Sequence, residues 1–204
     1  MVGHRLKIYR GEVWNINGVR VTSRARTWLD LAASLSLKDL IAAGDYLVCS
    51  HGPEFPVPHE SKCTVDDLAL AIVHHPGIRG LRKARAALEL IRVGADSPPE
   101  TFMRLALVEA GLPEPELNVL VRDEYGRAVL WPDGAYRSYR ISLQYDGGHH
   151  NDPRQYQRDI RRLETTKSLG WEEIRIGSDD LHGEHPAAIR KIEAALRAKG
   201  WRPQ

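Results

Sequence analysis

Asp133 and Asp146 are the residues from which a chemistry can first be read. Asp146 closes the alternating part of Arg140-Ile-Ser-Leu-Gln-Tyr-Asp-Gly-Gly-His-His150, where Ile141, Leu143 and Tyr145 interleave with Ser142, Gln144 and Asp146. A period of two is that of a β-strand with one apolar and one polar face, so Gln144 and Asp146 point the same way. Gly147-Gly148 allows a sharp turn, and His149 and His150 follow before a helix start at Asn151-Asp152-Pro153. Upstream, Trp131-Pro132-Asp133 ends another predicted strand with the second carboxylate. Two carboxylates on adjacent strands make a cradle for a hard divalent cation, Mg²⁺ or Mn²⁺, held jointly by the protein and substrate phosphates. Asp133 and Asp146 are therefore the candidate metal ligands. An imidazole titrates near neutral pH, which suits His149 or His150 to proton relay. Plainer explanations stand beside these. Asp133 before Gly134 and Asp146 before Gly147 also suit turn chemistry, and the histidines suit a solvated loop.

The helix after the histidines carries Arg154, Arg158, Arg161, Arg162 and Lys167 against Asp159 and Glu164. Such a basic surface can hold phosphates, giving affinity and register without reading sequence. It also fits an ordinary solvated face, on which Asp159 and Arg162 pair three residues apart. A further constellation is Cys49-x-His51 with His59-x₃-Cys63, four zinc-capable side chains around a proline-rich loop. Its Cys-x-His spacing departs from the usual zinc knuckle. His74-His75, at the end of a predicted helix, suits a C-terminal dipole contact.

The elements that must position these groups fall into two stretches. Lys7 to Thr22 reads as a hairpin around Asn17-Gly18. Helices follow from Thr22 or Ser23 to about Ser34, from Leu37 to Val48, from a Thr64-Val-Asp-Asp67 capping box to His74, and from Ile78 to Val93. The segment Ser50–Ser61, with three prolines, is a loop. Gly94-Ala-Asp-Ser97 marks the boundary, dividing the chain into 1–96 and 97–204. Ser97-Pro-Pro-Glu100 then starts a helix with a capping box and early prolines, ending at Gly111-Leu-Pro113. Strands are expected at 117–121, 128–131 and 136–145, a helix at 153–168, a strand at 171–176 opened by a core-anchoring Trp171, and a helix at 186–199. The second half is thus α-β-β-β-α-β-α, an α/β fold behind a small, mostly helical N-terminal region.

Composition narrows the classes. The 29 Lys and Arg against 27 Asp and Glu give a net charge of only +2, so any nucleic-acid affinity must come from charge gathered on one face. No apolar run is long enough for a membrane span and no signal-peptide core opens the chain, which makes a cytoplasmic location the expectation. Two cysteines do not make a disulfide scaffold.

Taken in order, Ser97-Pro-Pro-Glu100, Gly111-Leu-Pro-Glu-Pro115, Pro132-Asp133, Gln144-Tyr-Asp-Gly147 with His149 or His150, Asp159-Ile-Arg-Arg162 and Gly170-Trp171 form a series. The series resembles nucleases related to the very-short-patch-repair endonuclease, in the restriction-endonuclease-like PD-(D/E)XK superfamily. The resemblance implies a restriction-endonuclease-like α-β-β-β-α-β core. It also implies a DNA endonuclease in which Asp133 is the central metal ligand, Glu100 an auxiliary carboxylate, and Gln144 and Asp146 the other half of the site. Those relatives usually carry glutamate at the place of Gln144, and an amide brings no charge to a cation. Glu100 is equally explained as the return half of the Ser97 capping box. One site per chain would cut both strands as a homodimer or in two encounters.

The run Gly18-Val-Arg-Val-Thr-Ser-Arg-Ala-Arg-Thr-Trp-Leu-Asp-Leu-Ala32 resembles the middle region of actinobacterial proteins related to the abortive-infection AbiE antitoxins. Fuller members begin with a winged helix-turn-helix, for which there is no room before Lys7. Arg24, Arg26 and Asp30 in this run suit an internal ion network as well as a binding surface. The alternative function is therefore a catalytically silent nucleic-acid-binding or regulatory module with a toxin–antitoxin or phage-defence partner.

Overall fold

The computed structural model describes residues 7–147, 153–181 and 186–203, the stretch 153–159 by its backbone only. The chain forms two compact units: Met1–Cys49 with Glu60–Arg92, and Ser50–His59 with Val93–Gln204. The segment 50–59, read from sequence as a loop of the first half, thus belongs to the second unit, and the division falls at Arg92/Val93.

The N-terminal unit opens on a hairpin, β1 (Val13–Ile16) and β2 (Val19–Thr22), paired Ile16↔Val19 next to the turn. Asn17 at φ 52° and Gly18 at φ 84° supply the two left-handed residues that a two-residue turn matching strand twist requires. Four helices follow: α1 (Arg24–Leu31), α2 (Leu37–Val48), α3 (Val65–His74) and α4 (Leu81–Leu90). Ser23 caps α1, Ser36 caps α2, and Thr64 with Asp67 forms a complete reciprocal capping box on α3. Helix α1 stops short of Ser34 and α4 starts later than Ile78, after Gly80 in a left-handed N-cap. Trp28, Leu29, Leu40, Ile41, Leu68 and Ala84 are fully or almost fully buried. Each such large aliphatic or aromatic side chain stabilises the unit by about 1.5–3 kcal/mol.

The C-terminal unit is a mixed α/β fold. Its elements are α5 (Pro98–Glu109), β3 (Val121–Arg122), β4 (Ala128–Leu130), β5 (Gly134–Tyr136), β6 (Ile141–Asp146), α6 (Pro153–Ser168), β7 (Glu172–Gly177) and α7 (Ala187–Ala198). The sheet has the order β5-β6-β7, with β5 and β6 antiparallel and β6 and β7 parallel, while β3 and β4 form a separate antiparallel pair. Ile141 and Leu143 of β6 and Ile174 and Ile176 of β7 join Met103 and Leu107 of α5 and Ile192 and Leu196 of α7 in one core. Alternation sends Ser142, Gln144, Glu173 and Arg175 to the opposite face.

Two expected strands change. The one expected at 136–145 is a hairpin instead: Arg137–Tyr139 forms a tight 3₁₀ turn and Arg140, at φ 51°, reverses the chain into β6. No glycine or proline marks that reversal in the sequence. The strand expected at 117–121 shrinks to Val121–Arg122, because Asn118 at φ 54° interrupts the extended backbone. No helix among the described residues is long and apolar enough to cross a membrane.

Candidate active site and a neighbouring histidine cluster

Asp133 sits where the chain leaves β4 and enters β5, and its N–H donates to the Leu143 carbonyl at 3.1 Å. The β5–β6 register therefore delivers its carboxylate to the polar end of β6. There Asp133 Oδ2 accepts hydrogen bonds from Gln144 Nε2 and from the Tyr145 N–H, each at 2.7 Å. The Asp133 and Gln144 side chains, expected to converge, thus meet directly. Gln144 meets Asp133 through its nitrogen, which leaves the amide oxygen as the group that can turn to a ligand. Asp146 lies one pleat further along β6, opposite Gly177 of β7 and half-buried. Among the described residues, Asp133, Asp146 and Glu100 do not form a trio with ligand oxygens within 4.8 Å of one another.

Glu100 is in the first turn of α5 and faces the same cavity as Asp133, one of about 190 Å³ that also touches Asp96, Asn118 and Trp131. The expected capping box is only half present. Glu100 accepts from the Ser97 hydroxyl at 2.6 Å and from the Asp96 N–H at 2.9 Å, but the Ser97 side chain caps no helix N–H. Prolines at the first two helical positions remove two of the donors. Burial raises the Glu100 pKa, and the Asp96 charge adds to that, against the Ser97 and Asp96 hydrogen bonds and the His51 charge. Asp133 is pushed up to about 7, first by burial and then by the Glu100 charge, against its Tyr145 and Gln144 hydrogen bonds and the Arg162 charge. Two carboxylates that repel in a water-poor place both have raised pKa values, a pattern that gathers at functional sites.

Helix α6 splits the proposed basic group. Arg161 and Lys167 are exposed. Arg162 is drawn inward, its Nε donating to Glu173 on β7 at 3.0 Å, while Arg175 Nε holds the other oxygen of that buried glutamate at 2.8 Å. The side chains of Arg154, Arg158 and Asp159, and all of His149 and His150, lie outside the described residues. Trp171 packs with Leu169 against Val119, Val121 and Leu130, as an anchor at the start of β7.

The zinc constellation is corrected in one member. His51 and His59 face each other across an antiparallel bridge, and with Asp96 they form a set whose ligand atoms all lie within 4.8 Å of one another. Cys63 is not in that set. It precedes α3 in the N-terminal unit, its thiol pushed up to about 11 by burial and by the Asp67 charge. Asp96 was missed because the turn Gly94-Ala-Asp-Ser97 reads as punctuation, and aspartate is common in turns.

In the N-terminal unit, Arg26 and Asp30 do pair internally, at 2.9 Å, and Arg26 also reaches Glu12 at 3.1 Å. His75, the C-cap of α3, meets the other Glu12 oxygen at 2.6 Å. Arg24 instead donates to the Lys62 carbonyl at 2.6 Å.

No family model matches the chain, and no solved structure matches it. Two uncharacterised proteins of Mycobacterium tuberculosis, from strains CDC 1551 / Oshkosh and ATCC 25618 / H37Rv, are each similar at 27% identity over 183 residues. The alignment covers 89% of this chain but 63% of each relative, so the chain spans less than two thirds of their length.

Proposed function

We propose that the C-terminal unit is a metal-dependent DNA endonuclease of the restriction-endonuclease-like kind, hydrolysing phosphodiester bonds at the Asp133 end of the β5–β6 hairpin. The observation that carries this is the meeting of Asp133 and Gln144 at 2.7 Å beside Glu100, with Asp133 held up at about 7. The order helix, strands, helix, strand from α5 to β7 follows the expected core, with its third strand split into β5 and β6. The donor set fits a hard cation: crowded carboxylates are relieved by a positive ion, and Asp133, Asp146 and the Gln144 oxygen are all hard donors. Mg²⁺ or Mn²⁺ bound there would polarise the phosphodiester and acidify a water. The chain's own part is to orient and to shield. The Tyr145 N–H and the Gln144 amide fix the Asp133 carboxylate, Ser97 and Asp96 fix Glu100, and Arg161 and Lys167 offer exposed charge to the phosphate backbone.

One observation favours a second reading, a silent nucleic-acid-binding or regulatory module with a toxin–antitoxin or phage-defence partner. The Gln144 N–H already satisfies Asp133 with a neutral hydrogen bond, where the resembling nucleases usually place a glutamate. Cleavage of supercoiled plasmid with Mg²⁺ or Mn²⁺, against chelator, decides between them. Nicking or linearisation that needs metal and drops at least a hundredfold in Asp133→Ala supports the endonuclease. DNA binding indifferent to chelator, without cleavage, supports the silent module.

A further inference from the structure

At the other end of the cavity that Asp133 lines, and on donors that do not include Asp133 or Glu100, we propose a second metal site of the zinc class, with His51 Nε2, His59 Nε2 and the Asp96 carboxylate as its donors. The two histidines are paired by their backbones, His51 N–H to His59 carbonyl at 2.9 Å and the reverse at 3.1 Å. Directly opposed residues of an antiparallel bridge present their side chains on one face. The rings accordingly lie 4.8 Å apart, edge to face, with Phe55 stacked on the far side of His51 at 4.4 Å. Asp96 faces both: Oδ2 is 2.6 Å from His51 Nε2 and Oδ1 is 3.2 Å from His59 Nε2.

The hydrogen-bond network fixes which nitrogen of His51 faces the site. Asn118 Nδ2 donates to the Ser50 carbonyl at 3.1 Å, so its Oδ1 is the atom that meets His51 Nδ1 at 2.6 Å. Nδ1 therefore carries the proton, and Nε2 turns its lone pair toward the Asp96 carboxylate. Two acceptors 2.6 Å apart repel unless a positive charge lies between them. Protons would have to answer the two contacts separately, one on each imidazole, whereas a single divalent ion answers both imidazoles and the carboxylate together. An imidazole whose second ring nitrogen donates to a fixed carbonyl is also the arrangement by which proteins orient a metal-ligating histidine. Two imidazoles and one carboxylate suit zinc rather than magnesium.

The orienting amide is held in place by backbone that few residues adopt. Asn118 is left-handed at φ 54°, and Gly94, at φ 113°, lies so close that a Cβ there would come within 2.8 Å of the Asn118 side chain. The site would clip the segment Ser50–His59 to the start of α5, where the Asp96 N–H also holds Glu100.

The test titrates the metal-stripped full chain with Zn²⁺ and with Co²⁺ as a coloured stand-in. Expected are one Zn²⁺ per chain, a Co²⁺ visible spectrum of tetrahedral intensity that Zn²⁺ abolishes, and a rise in thermal midpoint. His59→Gln and Asp96→Asn should each weaken binding at least a hundredfold, and Asn118→Ala about 10- to 100-fold. Asp133→Ala should leave Zn²⁺ affinity unchanged, which separates this site from the proposed catalytic one. Absence of stoichiometric Zn²⁺ or Co²⁺ from the folded native chain overturns the proposal, as does unaltered affinity in folded His59→Gln and Asp96→Asn.

Discussion

Glu12 in the N-terminal unit and Asp133 in the C-terminal unit are both carboxylates taken out of water, and they are treated in opposite ways. Glu12 is almost fully buried, yet the Tyr9 N–H, His75 and Arg26 together outweigh that burial and hold its pKa below the ordinary value. Asp133 has Arg162 only at a distance and a second carboxylate, Glu100, as neighbour, so burial wins and its pKa rises. The first group is closed and neutralises itself, as an internal scaffold does. The second keeps an electrostatic deficit open toward a cavity, and such a deficit is what a cation or a proton can answer.

The harshest way to break this comparison is to remove Arg26, which leaves Glu12 buried without its guanidinium. Arg26→Ala is expected to cost about 3–5 kcal/mol, seen as a lowered urea midpoint. A cost below about 1 kcal/mol would mean that the network does not carry the unit. Next comes Asp133→Asn, with the opposite sign. The folded carboxyl titrates at about 7 against an ordinary 3.8, so the folded state keeps a proton that the unfolded chain releases. Asp133 therefore costs nothing near pH 3, and its cost grows as pH rises toward its folded value. Asp133→Asn should stabilise the protein by up to roughly 4 kcal/mol at pH 8 and leave it unchanged at pH 3, in denaturation series at both pH values. Equal pH slopes in the two proteins would contradict the raised value.

A smaller effect sharpens the functional half. Gln144→Glu adds a charge beside Asp133 and should tighten Mn²⁺ binding about tenfold, worth about 1.4 kcal/mol, in a calorimetric titration. Unchanged or weaker binding would place the cation away from β6. The smallest is Glu12→Gln. A lowered pKa contributes stability above the unfolded value, lost as pH falls through the folded one. Glu12→Gln should therefore cost about 1 kcal/mol at pH 7, and the difference should shrink as pH falls below the ordinary carboxylate value.

What the sequence discloses about this molecule follows the range of the forces involved. The Asn17-Gly18 turn, the Thr64–Asp67 box and the alternation in β6 are local, and the structure has all three. Local pattern also puts Gln144 and Asp146 on one face, and the strand ends put Asp133 within reach. The hairpin at Arg137–Arg140 escaped because its reversal uses arginine in a left-handed conformation, with no glycine or proline to announce it. The partners of Glu12 and of His51 escaped because they are set by packing across 63 and 45 residues of chain. Two of the cluster's three donors, His51 and His59, are visible in the sequence. The carboxylate that completes it is not, since no spacing rule connects a turn aspartate to a loop so far upstream.

The chain enters the C-terminal unit at Ser50, leaves after His59 and returns at Val93, and this bears on how the protein is made. The borrowed segment is held by Arg122 on Glu54 at 2.7 and 2.8 Å, by Trp131 Nε1 on the Glu54 carbonyl at 2.9 Å, and by Asn118 on Ser50. All three partners are synthesised later. At about 5–20 residues per second, the segment waits on the order of 3 to 15 seconds for them, while every residue of the N-terminal unit has emerged by Arg92. Nor can one cut of the chain yield both units whole. A fragment beginning at Val93 would lack His51, Glu54 and His59, so a single truncation cannot separate the two units intact.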